Sequence, residues 1–338
     1  MGTLYSDLNK VKVGKQKNAI INGNFLVWQR GASFNPHTAG FTSDRWYYSR
    51  NSTGSFRIDR EASILPHSNT IYSYKLTTIT GQASFTGDNH STLQQGIEGF
   101  DYVQFIGKTA TLSFWVRSSV AGTYSCAFRS GVGDRSYIAE YTIHSANTWE
   151  YKTITLKFDY SGGTWDIQSG LGLRVSFSQG IGSTYATSTL GQWLSGNYLA
   201  SSNQVNWAAS NGNTFYLSDV QLELGSEATS FEQIPPGIQF LKCLRYYEVK
   251  YIYTNAASIS ASLGAYYNII TYNTKRAAPT VTSLGVELWG AAWYAATSVT
   301  VSVWDDRLYF NIRDTVNSGY TLSAALIRGT FYMDAEII

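Results

Sequence analysis

The chain has 338 residues, more than one hydrophobic core usually serves, so we expect two domains. Aromatic residues make up 15% of it and charged residues 14%, a balance typical of all-β proteins, because rings pack well on pleated sheets. A net charge of +2 argues against nucleic acid as a partner. The sequence has no apolar run of about eighteen residues, so no membrane insertion is expected.

Residues 1–17 carry four lysines and few large apolar residues, which is too little to build a core. We expect an N-terminal arm, either a solvated tail or a docking segment that orders on a larger assembly. The two cysteines, Cys126 and Cys243, each lie in an apolar pattern, so buried free thiols are expected instead of a disulfide.

Between about residues 18 and 233, apolar residues alternate with polar ones in strand after strand. Leu112, Phe114 and Val116 give one such pattern, and residues 124–128, 154–158 and 171–177 give others. Alternation with one apolar face is typical of half-buried antiparallel strands. Glycine-rich turn clusters separate the patterns, so the region is predicted to be a β-sandwich.

The apolar parity changes within residues 215–225, between Leu217 and Val220. A β-bulge near Ser218 and Asp219 would absorb the extra residue. Such a bulge would turn Asp219 toward the interior or the edge of the sheet, where a buried carboxylate needs a partner.

After the sandwich, paired prolines at 235 and 236 precede Ile238, Leu241 and Leu244 at helical spacing. A short linking helix is therefore predicted over residues 234–247. Residues 248–338 again alternate and are predicted to form a smaller C-terminal β-sandwich. It would contain a hairpin that turns at Asp305 and Asp306, and a final strand through residues 327–337.

Three separated segments carry a family resemblance. Residues 18–31, with Asn-Ala-Ile-Ile-Asn-Gly-Asn-Phe at 18–25, and residues 215–225 resemble the ends of carbohydrate-binding-module-like jelly rolls in bacteriophage tail fibre and receptor-binding proteins. The Leu-Arg-Tyr-Tyr segment at 244–247 resembles the one that follows the jelly roll in many phage tail proteins. The resemblance covers roughly residues 18–250.

The resemblance implies an antiparallel jelly roll over residues 18–233, with its first residues beside its last strand. It also implies a virion protein of the tail that is assembled in the host cytoplasm, forms a homotrimer and contacts other phage virion proteins. In such a protein residues 1–17 would dock on the virion. Related jelly rolls often hold a structural calcium. Asn24 and Asp219 match positions that supply its ligands, although Leu26 stands where many such modules have an acid, and calcium takes about six to eight oxygens. No other cofactor is expected.

The chain shows little sign of catalytic chemistry. Its four histidines lack zinc-site spacing, and it has no nucleophile elbow, Walker loop or dinucleotide fingerprint. Carboxylate pairs such as Asp134 with Glu140, or Glu98 with Asp101, leave a polysaccharide depolymerase open as an alternative. We expect no enzymatic activity.

Sugar binding needs an exposed flat ring and a rim of polar side chains. Trp304 and Tyr309 flank the predicted hairpin turn, and a second aromatic cluster lies in a segment expected to be a loop. The predicted glycan-binding residues of the terminal module are Trp289, Trp293, Tyr294, Trp304, Asp305, Asp306, Arg307 and Tyr309. In the first domain the candidate rings are Trp165, Tyr185, Trp193, Tyr198 and Trp207. Core or subunit packing is the competing interpretation for each ring.

The first functional hypothesis is a non-enzymatic tail fibre or tailspike-like adhesin whose terminal sandwich binds host surface polysaccharide. The alternative is a capsid decoration or tail assembly protein that uses the same jelly roll to hold neighbouring subunits together. The depolymerase is the third.

Overall fold

A computed structural model describes residues 17–159, 161–260, 265–271, 273, 275–289, 293–295, 298–304, 307–313 and 325–337; within 252–271 and 284–328 it describes the backbone only. The chain divides into two compact units, one that ends at Pro235 and one that spans Pro236–Ile337. In the described part, no helix is long and apolar enough to cross a membrane. The predicted arm lies outside the described residues, except for Lys17.

The first unit consists of antiparallel sheets joined by turns and short helices. One sheet has the order β1-β4-β5-β15-β7-β10 and the other β13-β9-β8-β11-β6-β3-β2, while β12 and β14 form a small parallel pair. The strands are β1 (Ser33–His37), β2 (Gly40–Phe41), β3 (Trp46–Asn51), β4 (Ser55–Glu61), β5 (Ser73–Thr80), β6 (His90–Glu98), β7 (Thr109–Ser118), β8 (Gly122–Ser130), β9 (Arg135–Ile143), β10 (Glu150–Lys157), β11 (Leu171–Ile181), β12 (Ala186–Thr187), β13 (Trp193–Ser195), β14 (Ala200–Ser201) and β15 (Thr214–Leu224). Helix α1 spans Gly99–Tyr102, and 3₁₀ turns span Val103–Phe105 and Trp207–Ala209.

The two sheets enclose one aromatic core, as the alternating patterns predicted. Phe114 of β7 and Phe177 of β11 are both fully buried, with ring centroids 4.9 Å apart. Cys126 is buried in the same core, and both cysteines are free thiols, as expected. The antiparallel sandwich with β15 inserted between β5 and β7 confirms the predicted fold class.

The opening segment lies beside the closing strand, also as predicted. The backbone N–H of Ala19 donates to Leu222 O at 2.9 Å, and that of Val220 donates to Gly23 O at 2.9 Å. The buried Asn18 side chain donates to Val220 O at 3.1 Å. A Cβ at Gly23 would lie 2.1 Å from Val220 O, so only glycine permits this close approach.

The predicted bulge is present in β15. Its register against β7 shifts between Ser218 and Gln221, and Asp219 adopts a left-handed backbone conformation with φ 49°. The Asp219 residue is only 3% exposed. The extra residue thus turns a carboxylate into a buried position, where it has the partners described below.

The second unit begins with helix α2 (Pro236–Leu244), which confirms a short helix after the prolines. The apolar residues at helical spacing do not share one buried face, however. Ile238 and Leu241 are 49% and 55% exposed, whereas the buried residues are Gln239, Cys243 and Leu244. The buried face of α2 runs through Gln239 and Cys243, which are four residues apart, and the polarity of the side chains alone did not indicate this face.

The remaining strands of the second unit pair in the order β19-β18-β22-β16-β17-β21-β20. The long β16 pairs with β22 along its first part and with β17 along its last part. These strands are β16 (Tyr247–Ser260), β17 (Ala265–Thr271), β18 (Thr280–Trp289), β19 (Trp293–Ala295), β20 (Ser298–Trp304), β21 (Arg307–Arg313) and β22 (Ala325–Asp334).

The sequence patterns of this unit had mixed outcomes. Trp304 pairs with Arg307 across β20 and β21, which confirms the predicted hairpin. The expected loop at residues 288–294 is wrong at its ends, because Trp289 of β18 pairs with Trp293 of β19. Along the last strand, Phe331 and its alternate neighbours are buried, as predicted.

Candidate functional site

A broad groove of about 780 Å³ lies on the first unit, over the outer face of the six-stranded sheet. We call it the Trp115 groove. It is lined by His67, Asn69, Trp115, Tyr151, Thr229 and Gln233, among others. The residues come from β7, β10, the loop before β5 and the segment after β15.

Two rings form the floor of the Trp115 groove. Trp115 and Tyr151 are direct cross-strand partners in β7 and β10, and their centroids are 5.3 Å apart at an interplanar angle of 52°. They point outward because they alternate with core residues such as Phe114. Tyr151 is 44% exposed and Trp115 is half-buried. β15 flanks this platform on the β7 side, and β10 is the edge strand of the sheet.

The bulge in β15 supplies the polar end of the floor. Asp219 Oδ2 lies 2.8 Å from His67 Nε2 and accepts a hydrogen bond from the Thr70 hydroxyl at 3.0 Å. Burial raises the pKa of the Asp219 carboxyl, and the hydrogen bonds from Thr70, His67 and Ser218 offset this only in part. The pair fixes the His67 ring, whose centroid lies 5.9 Å from that of Trp115.

The wall of the groove is the segment that follows β15. Thr229 donates to the buried Glu223 through both its N–H, at 2.8 Å, and its hydroxyl, at 2.7 Å. Lys17 donates to the Thr229 hydroxyl oxygen at 2.5 Å and to Ser230 O at 2.6 Å. These bonds hold the exposed Thr229 beside the rings, and the exposed Gln233 also lines the groove.

The Trp115 groove therefore offers flat apolar faces next to fixed donors and acceptors. A pyranose has the complementary surface, with a face of C–H groups and a rim of hydroxyls. The Thr70 hydroxyl donates to Asp219 and also lies 3.3 Å from His67 Nε2, so it belongs to the same polar cluster.

The predicted glycan residues of the terminal module fall in two groups. Trp289, Trp293, Tyr294, Trp304, Arg307 and Tyr309 lie in strands whose side chains are outside the description. Asp305 and Asp306 lie outside the described residues altogether. A glycan site there stays a prediction.

The candidate rings of the first unit are better described. Trp207 is fully buried, so core packing is the correct interpretation for that ring. Trp165, Tyr185, Trp193 and Tyr198 are half-buried. The nominated carboxylates Asp134 and Glu140 bind different partners, Ser130 for the first and Ser201 for the second.

Asp219 gives the calcium prediction no support. Both carboxylate oxygens of Asp219 already accept hydrogen bonds or pair with His67. Among the residues that the structure describes, no group of three or more His, Cys, Asp or Glu side chains is arranged to hold a metal. The Asn24 side-chain oxygen is buried without a hydrogen-bond partner, and the calcium site stays a prediction.

Sequence analysis did not select Trp115 and Tyr151. The alternation of residues in the strand could have indicated Trp115, because this ring occupies a polar-face position between the apolar residues Phe114 and Val116. The alternation indicated Tyr151 less clearly, because this residue lies at the start of β10. Nothing in the sequence indicated that His67 and Asp219, 152 residues apart, would meet.

No family model and no curated protein matches the chain. Among solved structures, the enzymatically active domain of bacteriophage CBA120 tailspike protein 4 matches at 13% identity with a TM-score of 0.36, over 62% of this chain and 21% of that one. A putative sugar binding protein from Bacteroides thetaiotaomicron matches at 14% with a TM-score of 0.36, over 62% and 100%. The module TmCBM61, solved with β-1,4-galactotriose, matches at 11% with a TM-score of 0.31, over 62% and 100%. Values this low do not establish a common family or ligand.

Proposed function

We propose that this chain is a non-enzymatic virion adhesin of the tail fibre or tailspike type, and that its jelly roll binds host surface polysaccharide in the Trp115 groove. The observation that carries the proposal is the pair of outward rings, Trp115 and Tyr151, beside the fixed His67–Asp219 edge. The virion setting and the homotrimer rest on the resemblance of residues 18–31 and 215–225 to phage jelly rolls. Three copies on one fibre would raise the avidity of weak individual sites.

The first test is glycan-array binding by the full chain, followed by titration of any hit. Trp115→Ala and Tyr151→Ala should each weaken binding about three- to tenfold, because each removes a stacking face. Tyr47→Ala is the matched control, since Tyr47 is a half-buried tyrosine of β3 in the other sheet. Circular dichroism checks that each variant is folded.

A Trp293→Ala, Trp304→Ala double variant tests the terminal module in the same assay. If this double variant lost glycan binding and Trp115→Ala retained it fully, the glycan site would lie in the terminal module and not in the Trp115 groove. No binding to any glycan would overturn the proposed function. Light scattering tests the homotrimer, and electron microscopy of the particle separates a tail location from a capsid location.

Incubation with host capsule or lipopolysaccharide tests the non-enzymatic part. The expected result is no new reducing ends. Their appearance would favour the depolymerase.

A further inference from the structure

A second groove of about 660 Å³ lies elsewhere on the first unit, where β9, β10 and β13 meet. We call it the Trp193 groove. It is lined by Arg135, Tyr137, Lys157, Asp159, Gln192 and Trp193, among others. Tyr151 of the Trp115 groove and Lys157 are six residues apart on β10, so about 20 Å of strand separates the two grooves.

The aromatic part of the Trp193 groove is built from packed rings. Trp193 pairs with Tyr137 across β13 and β9, with ring centroids 5.6 Å apart. The Trp193 indole N–H donates to Lys157 O at 2.9 Å, and the Trp165 ring lies 5.4 Å away edge-to-face. These contacts fix the half-buried Trp193 ring in one orientation.

The charges of this groove distinguish it from the Trp115 groove. Arg135 pairs with Asp159 at 2.8 Å, and Asp159 also accepts hydrogen bonds from the N–H and hydroxyl of Ser161 at 2.8 and 2.7 Å. Partial burial alone would raise the pKa of Asp159, but the bonds from Arg135 and Ser161 outweigh it and lower the pKa to about 2. The carboxylate is therefore ionised at neutral pH and neutralises Arg135.

Lys157 is left over from this pairing. Its side chain is exposed, and among the described residues it has no salt-bridge partner. The lining thus holds two cations, Arg135 and Lys157, against one carboxylate, Asp159, which is one positive charge in excess. The turn that carries Ser161 approaches Arg135 closely: a Cβ at Gly163, where φ is 75°, would lie 2.9 Å from the Arg135 Cβ. A Cβ at Gly162 would lie 3.8 Å from Arg135 Cζ, so the guanidinium also lies against this turn.

We propose that the Trp193 groove is a second saccharide site, selective for sugars that carry a carboxylate. The Trp193 ring would contact the pyranose face, and the Lys157 ammonium would contact the acid. The inference shares saccharide binding with the proposed function, but its residues are entirely different. Absence of binding at one groove therefore does not prevent a measurement of binding at the other.

The test uses the full chain labelled with 5-fluorotryptophan, so that each tryptophan gives its own ¹⁹F resonance. Trp193→Phe and Trp115→Phe assign the two relevant signals. The probes are methyl glycosides of glucuronic, galacturonic and N-acetylneuraminic acid, with methyl glucoside and methyl galactoside as neutral partners. The acidic probes should shift the Trp193 resonance saturably, and the neutral probes should shift it much less.

Lys157→Gln removes the excess charge. It should weaken acidic-probe binding about two- to fivefold, as expected for one exposed charge pair, and leave neutral-probe binding unchanged. Lys152→Gln on the same strand is the matched control, because Lys152 is paired with Glu150 at 2.7 Å. Raising the salt concentration should reproduce the effect of Lys157→Gln in the wild-type chain.

Two results would overturn the inference. One is a Trp193 resonance that none of the acidic probes shifts. The other is equal response to acidic and neutral probes, with Lys157→Gln indistinguishable from Lys152→Gln. If the Trp115 resonance responds in either of these cases, the proposed function survives and only the Trp193 site fails. If the Trp193 resonance responds and the Trp115 resonance does not, the Trp193 site survives and binding in the Trp115 groove is not supported.

Discussion

Asn18 joins the two ends of the jelly roll through its side chain, which makes its removal an informative perturbation. Its Oδ1 accepts hydrogen bonds from the N–H of Ile20 at 2.9 Å and of Leu222 at 3.0 Å. Its Nδ2 donates to Val220 O at 3.1 Å. The residue is 3% exposed, so water cannot easily replace these bonds. Asn18→Ala deletes all three.

The expected cost follows from that count. A buried hydrogen bond contributes about 0.5–1.5 kcal/mol net, so losing three should lower the free energy of unfolding by about 1.5–4.5 kcal/mol. The upper half of the range applies if the freed backbone groups stay buried and unpaired, because an unsatisfied buried group costs about 1–3 kcal/mol.

Urea denaturation at pH 7, followed by tryptophan fluorescence, measures this change. Asn51→Ala is the control, because exposed Asn51 donates one hydrogen bond to Asp88, at 2.9 Å, and should cost less than about 0.5 kcal/mol. If Asn18→Ala were no more destabilising than Asn51→Ala, Asn18 would not be joining the opening segment to the closing strand.

Three further outcomes are expected. Gly23→Ala should destabilise the first unit by more than about 2 kcal/mol in the same denaturation assay, because its Cβ would overlap a carbonyl oxygen of β15. Gly237→Ala is the control: this position in α2 has open space around it, so the substitution should not destabilise the second unit. The pKa of Asp159 is lowered to about 2 in the folded chain, so its ionisation stabilises the folded state fully at pH values above 3.8, the ordinary pKa of an aspartate. In thermal unfolding, the stability advantage of wild type over Asp159→Asn should therefore shrink as the pH falls from 3.8 toward 2. Burial also raises the pKa of the Cys126 thiol, so Cys126 and the buried Cys243 should react with Ellman's reagent only slowly in the native chain and fully in guanidinium.

Each of these has a clear contrary result. A stable Gly23→Ala variant would mean that the close approach to β15 is not required. An advantage over Asp159→Asn that grows toward pH 2 would reverse the sign of the argument about that carboxylate. Rapid native labelling of either thiol would place it outside the core.

The repeating parity of the first domain was sufficient to predict β7, β8, β10, β11 and β15. Leu112, Phe114 and Val116 alternate because one face of β7 packs in the core, and that local rule needs no knowledge of neighbours. The slip in parity near Asp219 predicted the bulge for the same reason. The helix after the prolines was predicted too, but its buried face was not, because Ile238 and Leu241 are apolar and yet exposed.

The residues of the sites were much harder to predict. Trp115 becomes half of a platform only because β10 places Tyr151 opposite it, and Asp219 becomes a fixed hydrogen-bonding edge only where the chain brings His67 to it. Local sequence determined that this chain forms amphipathic strands with one apolar face, because each residue's side follows from its position in the strand. Tertiary structure decided which outward rings and charges share a groove, because those contacts join strands and loops whose register is set by the packing of the whole sandwich.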